Sequence, residues 1–116
     1  MASEEFTRAL ESTREIQLTV TGRASGREVS FPVWFVTEGD TLYLVPIHGP
    51  ETNWYKNVLK DPTVRLAAGG AQVTGRATPI TDPARVSEIV DKFRAKYGDV
   101  ETYYPRHDVA VAISLA

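Results

Sequence analysis

The chain has 116 residues, of which 42% are apolar and 24% charged, and these ordinary values argue against a disordered, fibrous or membrane-embedded protein. Thirteen Lys and Arg against fifteen Asp and Glu give a formal net charge of −2, so no global positive field predicts nucleic-acid binding. Cysteine is absent, which excludes disulfides and thiolate metal sites. We expect one domain, residues 1–116, with one hydrophobic core.

The first predicted element is a short helix over residues 4–11, which Ser3 can cap and which carries Phe6 and Leu10 on one face. The acidic start of the chain does not resemble a signal peptide, and the apolar runs are too short to cross a bilayer. These features predict a cytoplasmic protein with no membrane span.

Two strands are predicted next. Apolar and polar residues alternate from Ile16 to Thr21, and β-type residues resume over 29–36 after a glycine-containing turn, so the two strands should form a hairpin. Large apolar side chains lie on both faces of the second strand, which predicts that both faces are covered. Pro32 marks an edge or a bulge there, because proline cannot donate to a ladder.

The third strand, residues 41–45, leads through a loop with Pro46, Gly49 and Pro50 into a short helix over residues 53–60. Asp61-Pro62 ends that helix, because the residue before a proline avoids the α region.

The second half of the chain predicts a hairpin of residues 63–68 and 71–80, in which Gly75 suits a bulge or a corner. Asp82-Pro83 begins a longer helix that ends at Gly98, since Asp is a good N-cap and Gly a good C′ residue. A loop over 99–108 and a buried strand over 109–115 follow.

Six short strands, a short helix after the third and a longer helix before the last predict a mainly β (α+β) fold with an antiparallel sheet. A sheet of this size with an apolar strand on both faces tends to close, which favours a small barrel over a sandwich, although a sandwich stays open.

The loop between the third strand and the short helix carries the strongest functional signal. It leads to a helix N-terminus, where backbone N–H groups lack partners and the dipole is positive, so a phosphate is the natural ligand. His48 lies in this loop, and Trp54 and Tyr55 follow Asn53, the candidate N-cap. His48 could donate to an anion with a pH dependence near neutrality, or it could be a solvated loop residue.

Other candidate residues have ordinary explanations beside the functional ones. Tyr103 and Tyr104 could form a lid over a substrate or could pack against the long helix. The charges at Lys92, Arg94 and Lys96 are interpreted as the solvated face of that helix. No His, Asp and Glu set has metal-ligand spacing, and nucleophilic triads and phosphate-loop motifs are absent.

Four motifs occur together in this sequence: Thr21-Gly22-Arg23-Ala24-Ser25-Gly26, Pro32 two residues before an aromatic, Gly49 ahead of Trp54-Tyr55-Lys56-Asn57, and Asp61-Pro62. In this combination they resemble the deazaflavin-dependent nitroreductase family of the split β-barrel flavin-binding superfamily, which also contains the FMN-dependent pyridoxamine-phosphate oxidases. The resemblance covers roughly residues 16–80, and residues 93–98 are similar to a small branch of the same group.

The resemblance implies a six-stranded antiparallel split β-barrel that binds coenzyme F-420 (a deazaflavin) or FMN. It implies an oxidoreductase that passes a hydride or electrons to a small organic acceptor such as a nitroaromatic, a quinone or an enone. A homodimer is compatible with it, and neither nucleic acid nor a metal is expected as a partner. The alternative is a non-catalytic module that sequesters a flavin or another planar ligand, because the sequence offers no acid or base of its own.

The implied cofactor-binding residues lie in the turn after the first strand and in the loop that enters the short helix. They are Arg23, Ser25, Arg27, Pro46, Ile47, His48, Gly49, Asn53, Trp54 and Tyr55, with Tyr103 and Tyr104 as substrate candidates. The two turn arginines could clamp phosphate oxygens bidentately. One of the two aromatic residues should anchor the helix and the other should contact the flavin ring.

Two positions depart from the family pattern. Members usually carry Lys or Arg at the position of His48 and a basic residue at the position of Ala24. Fewer fixed charges would meet a polyanionic tail, which makes FMN, with its single phosphate, or no cofactor more plausible than for a typical member of the family.

Overall fold

The computed structural model describes residues 4–46, 48–98 and 108–114. Within these ranges the backbone forms three α-helices, one 3-10 turn and seven β-strands. The elements in chain order are α1 (Glu4–Ser12), β1 (Ile16–Thr21), β2 (Glu28–Val33), β3 (Val36–Glu38), β4 (Thr41–Leu44), the 3-10 turn (Gly49–Glu51), α2 (Asn53–Lys60), β5 (Thr63–Ala68), β6 (Ala71–Ile80), α3 (Pro83–Tyr97) and β7 (Ala110–Ser114).

The seven strands form one antiparallel sheet in the order β2-β1-β5-β6-β7-β4-β3. The ten-residue β6 pairs with β5 up to Arg76 and with β7 from Ala77 onward. Because one strand serves two neighbours in succession, the sheet curls as a half-barrel. The predicted mainly β, antiparallel split-barrel architecture is confirmed, but the predicted number of six strands is wrong.

Gly75 lies where β6 changes partner, in agreement with the predicted corner. A Cβ atom at this position would lie 2.7 Å from Cγ2 of Ile113 and 3.2 Å from the carbonyl oxygen of Ser114. Both atoms belong to β7, so the glycine permits the close approach of that strand.

The seventh strand arises because the strand predicted over residues 29–36 is broken at Trp34 and Phe35. Before the break, β2 pairs with β1; after it, β3 pairs with β4 at the opposite end of the sheet order. The two edge strands are therefore joined through this corner, and two residues leave the ladder to make the turn.

Tyr97 from the last turn of α3 stabilises the corner. Its hydroxyl accepts a hydrogen bond from the backbone N–H of Phe35 at 3.0 Å and lies 2.6 Å from the carbonyl oxygen of Arg14, to which it can donate. Its ring stacks on Trp34, with centroids 4.2 Å apart and planes 5° from parallel. Burial raises the pKa of the Tyr97 hydroxyl, so it stays protonated and able to donate.

Two hydrophobic clusters lie on opposite sides of the sheet. The inner one includes Phe6 and Leu10 of α1, as predicted, together with Phe35. The outer one lies between the sheet and the apolar stripe of α3 and includes Val36 and Trp34. The alternation predicted at Phe35 and Val36 therefore divides these residues between two cores.

The prediction that both faces of the second strand are covered is wrong for β2. Val29 is 44% exposed, and Phe31 and Val33 are only half-buried. β2 is an edge strand, which agrees with the position of Pro32 and leaves less sheet around it to bury its side chains.

The helix boundaries follow the predicted signals. Asp82 caps α3 by accepting a hydrogen bond from the N–H of Arg85 at 3.2 Å, and Gly98, with φ of 88°, ends it. α2 spans the predicted residues, while Ser3, the predicted cap of α1, lies outside the described residues. No helix in the described part of the chain is long and apolar enough to cross a membrane.

Candidate cofactor-binding site

The loop between β4 and α2 is held by its own backbone. The N–H of Gly49 donates to the carbonyl oxygen of Pro46 at 3.1 Å, and the N–H of Thr52 donates to that of Gly49 at 3.1 Å. Gly49 has φ of 60° and is buried, a combination that suits glycine because it has no Cβ. The chain therefore reaches α2 through a compact turn.

Thr52, not Asn53, is the N-cap of α2, which corrects the predicted cap by one residue. The Thr52 hydroxyl accepts a hydrogen bond from the backbone N–H of His48 at 2.8 Å, and it makes no capping bond to the helix. The first turn of α2 also carries no acidic residue. The positive end of the helix thus lacks the side-chain partners that usually satisfy it, as an anion site requires.

The turn between β1 and β2 docks against α2 through one side chain, Asn57. Its Oδ1 atom accepts a hydrogen bond from the backbone N–H of Arg23 at 3.1 Å and another from Nη1 of Arg23 at 2.8 Å. Nη1 also lies 3.4 Å from the carbonyl oxygen of Asn53 in the first turn of the helix. Asn57 is only 8% exposed, so these bonds form at the margin of the core.

The fold therefore places Arg23 against the N-terminal half of α2, although Arg23 and Asn53 are thirty residues apart in the sequence. Both side-chain bonds of Arg23 leave from Nη1, and within the described residues Nη2 and Nε make no bond. A guanidinium has five N–H donors in a fixed fork, so donors remain for a bound anion.

Hydrogen bonds between residues close in the sequence order the rest of the β1–β2 turn. The N–H of Gly22 donates to the carbonyl oxygen of Arg27 at 2.8 Å, and Oγ of Ser25 accepts from the N–H of Arg27 at 3.2 Å. Ser25 and Arg27 are exposed. Among the described residues the guanidinium of Arg27 has no ion-pair partner, so it is a second cation at the same turn.

His48 and Asn53 are exposed, whereas Pro46 is buried. His48 is held through its backbone, because its N–H donates to the Thr52 hydroxyl and its carbonyl oxygen accepts from the N–H of Glu51 at 3.3 Å. Its imidazole makes no hydrogen bond or ion pair to any described residue. Its predicted part in anion binding stays a prediction. Within the described ranges, no three His, Asp or Glu side chains lie close enough to hold a metal ion.

Trp54 and Tyr55 are both buried in the inner core, at 6% and 4% exposure. Their rings meet edge to face with centroids 6.5 Å apart, and burial raises the pKa of the Tyr55 hydroxyl. The anchoring role predicted for one of them fits both. That one of them also contacts a flavin ring stays a prediction.

Three predicted residues, Ile47, Tyr103 and Tyr104, lie outside the described residues. Conversely, the sequence analysis gave no role to Asn57 or Thr52, whose side chains organise the site. Asn57 stood inside the motif that carried the family resemblance, which was the available signal. No sequence signal indicated a role for Thr52, because its hydroxyl accepts a hydrogen bond from the backbone N–H of His48, four residues earlier, and does not cap the helix that follows.

The interpretation of Lys92, Arg94 and Lys96 as a solvated helix face was incomplete. Lys92 pairs with Glu38 of β3 at 3.2 Å, and Nζ of Lys96 donates to the carbonyl oxygen of Phe35 at 2.9 Å. Arg94 pairs with Asp91 within α3 at 2.6 Å. Two of the three cations thus contact the sheet.

A curled antiparallel sheet with this strand order and these helices is the architecture of a split-barrel protein. Comparison with protein-family models then identifies the family: the chain belongs to the F420H(2)-dependent quinone reductase family, whose model matches residues 2–115. It is a deazaflavin-dependent reductase, and its cofactor is coenzyme F-420. No curated protein sequence matches the chain significantly.

Solved structures agree on the fold. An F420-H2 dependent reductase aligns with a TM-score of 0.68 at 21% identity, covering 87% of this chain and 94% of its own. A protein described as a domain-swapped dimer aligns with 0.72 at 21%, covering 96% and 95%. A putative pyridoxamine 5′-phosphate oxidase from Listeria innocua aligns with 0.66 at 18%, covering 95% and 90%. At these identities the likeness concerns the fold alone.

Proposed function

We propose that this reductase transfers a hydride from reduced coenzyme F-420 to a small organic acceptor of the quinone, nitroaromatic or enone class. The observation that carries the residue-level proposal is the docking of Arg23 on Asn57 beside an uncapped helix N-terminus. The family match supports the quinone class first, since a quinone reductase family is the one matched.

The proposed site holds the cofactor phosphate between α2 and the β1–β2 turn. Backbone N–H groups at the start of α2 and the free donors of Arg23 and Arg27 would bind the phosphate oxygens, with Ser25 and His48 beside them. Pro46, Ile47 and Gly49 would shape the loop around the tail. The bound deazaflavin supplies the hydride, and the chain supplies binding and orientation.

Binding is tested by titrating the purified protein with oxidised F-420 and, separately, with FMN, followed by fluorescence. Arg23→Gln should weaken F-420 binding by about ten-fold to a hundred-fold, because a charge-assisted hydrogen bond contributes about 1.5–3 kcal/mol. Arg76→Gln, an exposed arginine on β6, is the matched control and should bind as the wild type does. If both variants bind equally, the phosphate does not lie at Arg23.

His48 is tested by replacing it with lysine, the residue type usual in the family. If the imidazole helps to hold phosphate, wild-type affinity should be higher at about pH 6.5 than at about pH 8.5, because only a protonated ring adds a positive charge to the site. His48→Lys should bind more tightly with a flatter profile. Equal affinity and slope in the two proteins would make His48 a bystander and leave the anion to α2 and Arg23.

The alternative of a non-catalytic binding module is addressed by turnover. Reduced cofactor bound to the protein is mixed in a stopped-flow instrument with menadione, with a nitroaromatic, with an enone and with oxygen. Reoxidation faster than that of free cofactor with one of the organic acceptors supports the reductase and identifies its acceptor class. Rates equal to those of free cofactor would favour sequestration.

Two further parts of the proposal concern partners. We propose a homodimer, a state supported by the domain-swapped dimer of a protein with the same fold and tested by analytical ultracentrifugation.

We also propose that Tyr103 or Tyr104 contacts the acceptor. Replacing each with leucine should then raise KM for the acceptor without changing the Kd for F-420.

A further inference from the structure

Lys96 lies at the rim of a cavity that the proposed cofactor site does not use. The cavity has a volume of about 180 Å³ and lies between α1, the β3–β4 turn and the end of α3. Its lining residues are Thr7, Leu10, Glu11, Phe35, Thr37, Gly39, Asp40 and Lys96. Apolar carbon, hydroxyl groups and an amine thus border the same space.

The amine of Lys96 is held in a defined position. Its Nζ atom donates to the carbonyl oxygen of Phe35 at 2.9 Å and lies 3.4 Å from the centroid of the Phe35 ring. It also lies 5.1 Å from the centroid of the Tyr97 ring. The residue as a whole is exposed, and its Nζ atom lies against the corner at Phe35 beside the cavity.

The charged and titratable groups around the Lys96 amine belong to α1 and the residues just after it, to the β3–β4 turn and to α3 itself. Arg14, which follows α1, repels the ammonium form. Glu11 of α1 and Asp40 of the β3–β4 turn line the cavity, and Tyr97 is the last residue of α3. Burial and, to a lesser extent, Arg14 lower the pKa of the Lys96 amine to about 8.

A lowered pKa makes an amine a better nucleophile near neutral pH. With a pKa of about 8, a far larger fraction of the Lys96 amine is uncharged at pH 7.5 than the roughly one thousandth of an ordinary lysine. The weaker basicity offsets part of this advantage, because intrinsic nucleophilicity falls with pKa, as it does for thiols. A net gain of about ten-fold in rate is the expected result.

We propose that Lys96 is an acylation site that reacts with small, uncharged acyl thioesters, whose acyl group enters the adjoining cavity. The lone pair of Nζ attacks the thioester carbonyl carbon and forms an amide bond. The C–S bond breaks, and the departing thiolate takes up, through water, the proton that the amine nitrogen gives up, so that a free thiol is released. The carboxylates of Glu11 and Asp40 disfavour an anionic donor such as an acyl phosphate, while Leu10 and Phe35 accommodate an acyl chain.

The other lysines of the chain are internal controls. Lys92 lies one turn earlier on α3 but is paired with Glu38 at 3.2 Å, and Lys56 is paired with Glu51 at 3.1 Å. Lys60, in the last turn of α2, is exposed and has no ion pair among the described residues. Lys60 is therefore the reference for an ordinary accessible amine.

The experiment treats the whole protein with N,S-diacetylcysteamine at pH 7.5 and follows acetylation of each lysine by peptide mass spectrometry. Lys96 should be acetylated about ten times faster than Lys60 at pH 7.5, and this ratio should shrink as the pH is raised, because an ordinary lysine amine also loses its proton at alkaline pH. Acetyl phosphate should give a smaller ratio. Equal rates at Lys96 and Lys60 at pH 7.5 would overturn the proposal.

Arg14→Gln provides a second readout that does not disturb the core. Removing the neighbouring positive charge should raise the pH at which Lys96 becomes reactive and should slow its acetylation several-fold at pH 7.5, with Lys60 unchanged. If the pH profile of Lys96 does not move, or if it follows that of Lys60 in both proteins, the corner does not activate the amine.

Discussion

The bond between the β1–β2 turn and α2 can be tested by replacing Asn57 with alanine. Oδ1 of Asn57 accepts one hydrogen bond from a backbone N–H and one from a guanidinium, both from Arg23. The backbone hydrogen bond contributes about 1 kcal/mol. The hydrogen bond from the guanidinium contributes about 1.5 kcal/mol, at the low end for a charged donor because Arg23 is exposed and solvent screens its charge. We expect Asn57→Ala to lower the free energy of unfolding by about 2–3 kcal/mol.

For a chain of this length, each kcal/mol lost from the free energy of unfolding lowers the melting temperature by about 4 °C, so the expected decrease is about 8–12 °C. Thermal unfolding followed by circular dichroism measures it, and urea unfolding provides the free energy. Asn53→Ala is the matched control, because that exposed residue contributes only its backbone carbonyl to the contact with Arg23. It should shift the melting temperature by less than about 2 °C.

Arg23→Gln separates the two bonds, because it removes the guanidinium and keeps the backbone N–H. It should destabilise the protein by about half as much as Asn57→Ala does. The reasoning is refuted if Asn57→Ala melts within about 2 °C of the wild type, or if Asn53→Ala is as damaging as Asn57→Ala.

Three further predictions concern the corners of the barrel and the docking of α3. Gly75→Ala should destabilise by about 1–3 kcal/mol, because the new methyl group would overlap Ile113, and urea unfolding measures the loss. Tyr97→Phe should destabilise by a similar 1–3 kcal/mol or so, because the N–H of Phe35 loses its acceptor, and the same assay tests it. Glu38→Gln should be less stable than the wild type at neutral pH, and the difference should shrink as the pH falls below the ordinary glutamate pKa of about 4.3.

The sign of the last prediction follows from the pKa of Glu38, which hydrogen bonds from Lys92 and Arg85 hold below its usual value. A carboxyl with a depressed folded pKa stabilises the fold above its unfolded pKa and loses that contribution as pH falls through the folded one. Glu51→Gln, which removes one partner of a single ion pair, is the matched control. A wild-type advantage that persists unchanged to pH 3 would contradict the assignment.

Thr74→Ala is the control for Gly75→Ala, since the exposed neighbour on β6 should change stability by less than about 0.5 kcal/mol. If Gly75→Ala is equally silent, β7 does not approach as closely as described. For Tyr97→Phe, an unfolding free energy within about 0.5 kcal/mol of the wild type would mean that water replaces the hydroxyl at the Phe35 corner.

The amino-acid sequence alone determined the elements whose signals are local. The residues of α2, the Asp82 cap and Gly98 end of α3, and the β1–β2 hairpin each depend on capping, on glycine geometry or on alternation within a few residues. Such signals act through the bonds of neighbouring peptide groups, so they are readable without the fold. The motif around Arg23 carried the family resemblance that the family model confirms, while the phosphate-binding role of the loop before α2 stays a prediction.

Only the tertiary structure decided what depends on residues far apart in the chain. The break at Trp34 and Phe35 has no local cause: it follows from joining the two edge strands of a curled sheet, and a tyrosine sixty-two residues away satisfies the freed N–H of Phe35. In the same way, Asn57 meets Arg23 only because β1 packs beside α2. Burial and contacts between residues far apart in the chain arise only when the barrel packs, so the pattern of neighbouring residues in the sequence does not predict them.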